Sequence, residues 1–494
     1  MSAKLKEKRQ ASHEGWNMTR RERVAYYTGD TGRLFCMSLF NTFVSLFLIF
    51  KGVSLTRFAI VMLIVKIIDA CDDVVFGFLV DRFNPTKWSI TKRLAGKGKY
   101  LPWYRVTFFL YPVITILFFL MPSSFSETGK IIWFVVFYLL YDLTCTLNDV
   151  PMNSMVMTLT DNVEERNAIL KTKGVIAIVA VIVISTIWQY LISEHVGMSI
   201  SSVCVVSAVI FLISMFPLAT KVQEHNCELK NVEEAKEDEK YTFREMLACI
   251  KTNKYIMIFF LAIILSGVLA TGTALNTFIS FYCYGDSMVL SIGLLVAFIP
   301  GVILSMYADK IAKKWGRRNA LIYISIFQAV GGVIIWLMGY SHVALVVSIS
   351  MIIALPNTVR SILITFVAPD TIEYTRYKTG QDCSGIFFAL NNFVNKIVSN
   401  VASSLGMFIL GLAGWISVEA TDFADLAAQG IEQPQSAIDA LWACNTIIPA
   451  IGCALMAVIL LFYTLRDKDA ELMSKCNSGH ITREECEAQL SRKY

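Results

Sequence analysis

Residues 66–77 read K-I-I-D-A-C-D-D-V-V-F-G, placing three carboxylates in a run that is otherwise mostly apolar from about Thr56 to Arg82. A run of that length is enough for a helix to cross a bilayer, which takes about 20 residues. Asp69, Asp72 and Asp73 are spaced i, i+3, i+4, so the three carboxylates share one helical face. At the centre of a lipid-facing helix each acid costs about 2.5–3.5 kcal/mol even on a lenient insertion scale. That face must therefore line a protein interior or a wet cavity, where an ion or proton site is the default reading.

The rest of the chain supports a membrane setting. Of 494 residues, 55% are hydrophobic and 17% charged, which is too apolar and too weakly charged for a soluble domain. The apolar residues, including 32 Phe and 19 Met, come in long blocks, where a barrel would show alternation over about ten residues. The first thirty residues are polar and basic, and the apolar run starts near Leu34, so the first helix is expected to act as its own insertion signal. Twelve cysteines lie mostly in or beside apolar runs without a CxxC pair, so neither a zinc site nor a structural disulfide is expected. The net charge of +5 is spread over membrane-flanking loops, which argues against nucleic acid. With five histidines, and no metal spacing, serine-histidine-acid grouping or phosphate loop, the chain does not read as an enzyme, and no resident cofactor is expected.

Twelve spans are expected, centred near residues 42, 68, 111, 142, 181, 210, 265, 298, 330, 354, 398 and 452. The polar stretch Lys221 to Lys240 is the natural seam between two six-helix halves. The expected division is an N-terminal segment 1–30, a bundle 31–220, a central loop 221–249, a second bundle 250–465 and a tail 466–494 that is solvated. Lysines and arginines concentrate after span two (Lys87, Lys92, Arg93, Lys97, Lys99) and after span eight (Lys310, Lys313, Lys314, Arg317, Arg318), whereas 417–439 holds five acids and no basic residue. The positive-inside rule then puts both termini in the cytoplasm of a cell (inner) membrane protein.

The halves echo each other. Asp81-Arg82 ends span two as Asp309-Lys310 ends span eight, and Asp161-x-x-Glu164-x-Arg166 after span four parallels Asp370-x-x-Glu373-x-x-Arg376 after span ten. Such echoes suggest parallel repeats related by an axis along the membrane normal. The expected fold is an all-α membrane protein whose twelve transmembrane helices form two pseudo-symmetric six-helix bundles, the major facilitator fold.

Four segments in order carry a more specific likeness: D-A-C-D-D-V-V-F-G-F-L-V-D from Asp69, G-K-Y-L-P-W from Gly98, N-D-V-P-M-N-S from Asn148 and D-T-I-E-Y-T-R-Y-K-T-G from Asp370. With them the chain resembles the glycoside-pentoside-hexuronide:cation symporter family over roughly residues 25–465. The resemblance implies cation binding at Asp69, Asp72 and Asp73 with help from Thr146 and Asp149, and a coupling role for Lys396 in span eleven. Sodium, a hard cation, would find oxygen ligands there; the third acid, Asp72, stands where the family's melibiose branch has a neutral amide and makes a proton more credible, which leaves the cation open. Two structural readings stand beside these: Lys66, one turn before Asp69, neutralises the acids, or Lys396 is a plain ion pair with the acids of span two or with Asp149.

Sugar recognition needs hydrogen-bonding side chains on a helix-lined cavity. Candidates are Arg33, Asn148, Asp149, Asn153, Lys173, Asn391 and Asn392. Leu34 and Asn153 replace the acid and tryptophan of the melibiose branch, which argues against a galactoside. The motif G-D-T-G-R at Gly29 to Arg33 resembles the glucuronide branch, and Arg33 with Lys173 suits an anionic sugar such as a hexuronide, because a guanidinium pairs bidentately with a carboxylate. The competing reading has both side chains snorkelling at helix ends. A monomer with a small-molecule sugar and the lipid bilayer as partners is expected; a proton-coupled transporter or antiporter of a non-sugar molecule is the alternative. Asp142 receives no role.

Overall fold

A computed structural model describes residues 16–82, 98–160, 162–225, 253–380 and 384–492, with backbone alone at 70–82, 163, 384–386, 388 and 389. Polar residues open several helices where the sequence turns apolar. Thr19 caps the first, with Glu22 reaching back to the Thr19 N–H at 2.8 Å, and Asn162, Ser199 and Asn253 cap three others. In chain order the helices are α1 (Arg20–Phe50), α2 (Leu55–Arg82), α3 (Leu101–Thr107), α4 (Leu110–Phe119), α5 (Glu127–Leu159), α6 (Val163–Ile192) and α7 (Ile200–Lys221). There follow α8 (Lys254–Val268), α9 (Asn276–Tyr284), α10 (Val289–Ser305), α11 (Ala308–Trp315), α12 (Arg317–Met338), α13 (Val343–Ala354), α14 (Pro356–Thr379) and α15 (Ser384–Leu412). The last are α16 (Phe423–Gln429), α17 (Gln435–Asn445), α18 (Ile447–Leu461), α19 (Asp467–Asn477) and α20 (Arg483–Gln489).

Every expected span centre falls in one of these helices. Among the described residues, 10 helices or helix runs are long and apolar enough to cross a membrane, and 11 if α10 and α11, bent by 55°, count as one span. The 28-residue α2 is long enough, but Lys66, Asp69, Asp72 and Asp73 crowd its centre with charge. Outward-facing positions are apolar: Ile213 is 68% exposed, Phe216 64% and Leu337 71%. On a soluble protein these would be an aggregation hazard; in a bilayer they meet lipid tails. The chain is a multi-pass membrane protein.

The described structure divides into two compact units. The first comprises Met1–Val53, Cys71–Asp238 and Ser417–Ile431; the second comprises Ser54–Ala70, Glu239–Ile416 and Glu432–Tyr494. These are not simply consecutive halves: the first part of α2 groups with the second unit, and 417–431 with the first. The expected seam falls largely in 226–252, and most of the basic loop after α2 in 83–97, both outside the described residues.

The first unit is centred on aromatic rings. Phe40 stacks on Tyr141, which exchanges a 2.8 Å hydrogen bond with Tyr111, while Phe118, Phe119 and Phe134 fill the space around them. The stretch 417–431 is tied to this unit where Lys130 Nζ meets Glu419 Oε1 and the Lys51 carbonyl, both at 2.8 Å. In the second unit Tyr255, Phe259, Leu321, Leu363 and Leu460 form one buried cluster that includes Met473 of α19.

That last contact corrects an expectation. The tail after Leu465 is not solvated throughout: α19 and α20 fold back on the second unit and bury Asp469, Ala470, Met473 and Cys486. Burying apolar groups at about 25 cal/mol per Å² favours such docking over a free extension.

Candidate functional site

In the first unit the site starts from G-D-T-G-R. A Cβ on Gly32 would overlap Ser214 Cβ, and one on Gly29 would stand 2.8 Å from Leu218 Cβ, so bare backbone lets α1 press against α7. Asp30 and Arg33, one turn apart, are presented beside that seam. Arg33 Nη1 donates to Asp149 Oδ1 of α5, and Nη2 lies 3.4 Å from Asp30 Oδ1. The same Asp30 oxygen lies 3.2 Å from Lys173 Nζ of α6, which also donates to Asn153 Oδ1 at 2.9 Å. Lys173 sits over the Tyr26 ring, 5.8 Å from its centroid.

Two acids and two bases therefore interlock, with Asp30 shared by both cations. Sharing matters because each buried ion loses several kcal/mol of hydration, recovered only through close partners. Arg33 and Asp30 are 7% and 4% exposed; Arg33 is packed among charges, not snorkelling. Its Nε is buried without a hydrogen bond among the described residues, leaving one donor of the cluster open. Asn148 is fully buried and turns its amide onto the Thr144 carbonyl at 2.8 Å, so it offers no surface to a cavity in this structure. Thr146 is buried one turn before Asp149. Pro151, inside α5, removes an i to i−4 hydrogen bond beside these residues.

In the second unit Lys396 of α15 reaches Asp69 of α2. Its Nζ lies 2.5 Å from Asp69 Oδ1 and donates to the Asp69 carbonyl at 3.0 Å. One turn on, Asn400 Nδ2 donates to the Lys66 carbonyl at 3.4 Å. Of the two expected neutralisers, Lys396 makes an ion pair with Asp69. Asp69 is 4% exposed. Asp72 and Asp73 lie on α2 with their side chains outside the described set, as do Asp81 and Arg82. Thr146 and Asp149 belong to the other unit. Along α15, Asn392, Asn395 and Ser399 are exposed and Asn391 half-buried, a polar stripe continuing the Lys396 face.

A third network closes one end of the second unit. Arg317 Nη1 donates to Asp370 Oδ1 and, at 3.2 Å, to the Phe366 carbonyl, while the Arg317 N–H donates to Asp467 Oδ2 at 2.8 Å. Asn477 of α19 donates to Glu373 Oε2 at 2.7 Å. Asp309 pairs with exposed Lys313 at 2.9 Å, and Lys310 lies over Tyr307 at 5.0 Å. A cleft of about 1280 Å³ opens here, walled by Lys314, Arg318, Arg466 and Glu471 among others.

Two functional-looking acids were absent from the sequence candidates. Asp30 stood inside the quoted G-D-T-G-R motif, three residues before Arg33, and that spacing was the available signal. Glu165, fully buried, accepts from the Asn17 and Met18 N–H groups at 2.8 and 3.2 Å and from Thr160 Oγ1 at 2.7 Å, so it anchors the chain entering α1. Its neighbour Asp161 lies outside the described residues, and Glu164 is exposed.

The profile of the MFS/sugar transport protein family matches residues 25–467. The chain is 23% identical to the isoprimeverose transporter of Lactiplantibacillus pentosus over 472 residues, 93% of this chain and 91% of that one. It is 23% identical to the glucuronide carrier protein homolog of Escherichia coli (strain K12) over 460 residues, 90% and 92% of the two chains. Among solved structures it is similar to a bacterial homologue of the iron transporter ferroportin, with a TM-score of 0.59 at 12% identity over 90% of this chain and 99% of that one. It is also similar to the nucleoside transporter NupG, with a TM-score of 0.54 at 11% identity over 90% of this chain and 99% of that one. At such identities the structural likeness shows the fold, that of the major facilitators.

Proposed function

Since the chain belongs to the MFS/sugar transport protein family, we propose that it is a secondary transporter carrying a sugar or glycoside together with a cation, Na+ or H+. The observation that carries this reading is the Asp69–Lys396 ion pair. An acid in the middle of a spanning helix, held by a lysine from another, is a costly arrangement that marks an ion pathway. In the proposed cycle Lys396 holds Asp69 while the site is empty. A proton or sodium ion arriving at Asp69, Asp72 and Asp73 neutralises the acids and loosens that pair. The change biases alternating access about a midplane site, and linkage makes cation and sugar favour each other's binding equally.

The sugar is assigned to the Arg33 cluster and to the polar stripe of α15 with Asn391 and Asn392. We favour an anionic sugar such as a hexuronide: its carboxylate can take the open Arg33 Nε and compete with Asp149 for the guanidinium. The relative named as a glucuronide carrier homolog supports this lean. A neutral glycoside is the second reading, favoured by the two-to-two charge balance at Arg33 and Lys173. The proposed orientation places both termini in the cytoplasm of a cell membrane.

Binding and counterflow with purified protein, using hexuronides, pentosides and neutral glycosides with and without sodium, test the assignment. Hexuronide counterflow stimulated by sodium or an inward proton gradient is expected. Counterflow with neutral glycosides alone would replace the anionic lean, and no sugar counterflow at all would overturn the transport class.

A further inference from the structure

The tail hairpin contains two cysteines that face each other. Cys476 lies in the last turn of α19 and Cys486 in α20, and the two helices pack together. The Cys486 side chain is fully buried and interacts with Cys476, which is half-buried. Above them Arg483 covers the Tyr377 ring at 5.2 Å, and the Tyr377 hydroxyl also hydrogen-bonds to Cys486. The other described cysteines, Cys36, Cys145, Cys204, Cys283, Cys444 and Cys453, all lie within membrane-spanning helices. Among the described residues, the tail pair alone is outside them, where water-borne thiol chemistry has access.

We infer that Cys476 and Cys486 form a reversible dithiol–disulfide site, oxidised by low-molecular-weight disulfides, that staples α19 to α20. The two thiols sit on helices that pack together, and a disulfide between them would hold the sulfurs ~2.05 Å apart. The roles follow from exposure. Cys476, the accessible partner, loses its proton, and its sulfur attacks one sulfur of a small disulfide RSSR. A Cys476–SR bond forms, the RS–SR bond breaks, and RS− leaves and takes up a proton. Cys486 then gives up its proton and attacks the Cys476 sulfur, which expels the second RS−. Two protein thiols are oxidised, and one RSSR is reduced to two RSH. Burial, and then the neighbouring Cys476, push the Cys486 thiol above its usual range, which suits it to resolve the mixed disulfide and not to start the exchange. The staple would fix a hairpin that already holds Arg317 through Asp467 and Glu373 through Asn477.

Digestion reads the bond directly. Trypsin cuts after Lys475, Arg483 and Arg492, leaving the two cysteines on separate peptides, 476–483 and 484–492. Purified full-length protein is equilibrated with glutathione disulfide or with reduced glutathione, alkylated without reduction, digested and analysed by mass spectrometry. The expected result is a cross-linked 476–483/484–492 pair, two hydrogens lighter than the sum, that dominates under the disulfide and disappears with dithiothreitol. Cys486→Ser is expected to stop at a glutathione adduct on Cys476, and Cys476→Ser to leave Cys486 unmodified. Should Cys486→Ser fold poorly, Cys486→Ala serves the same arm. Recovery of both wild-type peptides separately, alkylated or glutathionylated, from disulfide-treated protein would overturn the inference.

Discussion

The Arg33 cluster and the Asp69–Lys396 pair both bury charge among membrane-spanning helices, but they balance it differently. Asp30 and Asp149 match Arg33 and Lys173 two to two, and one oxygen of Asp30 serves both cations. On α2, by contrast, Asp69 takes the ammonium of Lys396, and the sequence adds Asp72 and Asp73 to the same helical face. The first arrangement is balanced in charge, with the Arg33 Nε its one open donor. The second has acids in excess of the lysine that reaches Asp69, so a cation has something to gain by entering. That surplus, read from the sequence, is what the proposed coupling role of α2 rests on.

Substitutions can break or sharpen this contrast, and the largest effect is expected at Asp30. Asp30→Asn leaves Arg33, which is buried, and Lys173, which is half-buried, short of a counter-charge and should cost about 3–5 kcal/mol, read from unfolding of the purified protein. A loss below about 1 kcal/mol would mean that the shared acid is not what holds the cluster. Next, Asp73→Asn should lower concentrative uptake at least about a hundredfold, ~2.8 kcal/mol at about 1.4 kcal/mol per decade, without lowering the amount of protein in the membrane. Concentrative uptake at the wild-type level would remove Asp73 from the coupling site; unaltered proton coupling in Asp72→Asn would make the third acid a bystander.

Gly32→Ala is expected to cost about 1–3 kcal/mol, because the new methyl group meets Ser214 and forces α1 from α7. Retention of full stability together with wild-type substrate affinity would show that the seam does not position Asp30 and Arg33. A double-mutant cycle with Asp69→Asn and Lys396→Met should give a coupling energy of about 0.5–3 kcal/mol, whereas additive effects would show that the ion pair contributes nothing. The smallest expected change, about 0.5–1.5 kcal/mol, belongs to Asp467→Asn, which weakens the acceptor of the Arg317 N–H; the melting temperature is the readout.

The helices were legible because a bilayer demands long apolar runs, and the acids of α2 because lipid makes a charge conspicuous. Lys396 was legible for the same reason, and in the structure it pairs with Asp69 of α2. What could not be read was who meets whom across distant sequence. Asp30 gained its importance from Lys173, 143 positions later, and no local pattern announces such a contact. The fate of the tail was hidden for another reason: only a few small or apolar side chains, such as Ala470, Met473 and Cys486, are buried there, too sparse to stand out among polar neighbours. Asn148 shows the converse, a polar residue of the right type that packs against its own helix instead of facing a cavity.

The shared oxygen of Asp30 also restricts how such a chain can change over generations. Replacing Arg33, Lys173 or Asp149 alone leaves a charge stranded with the remaining three, so single steps at any of them pass through a damaged intermediate. New cargo preferences at this proposed sugar site are therefore expected to arise through paired exchanges, with second-site suppressors of an Arg33 defect recovered at Asp149 or Asp30 before anywhere else.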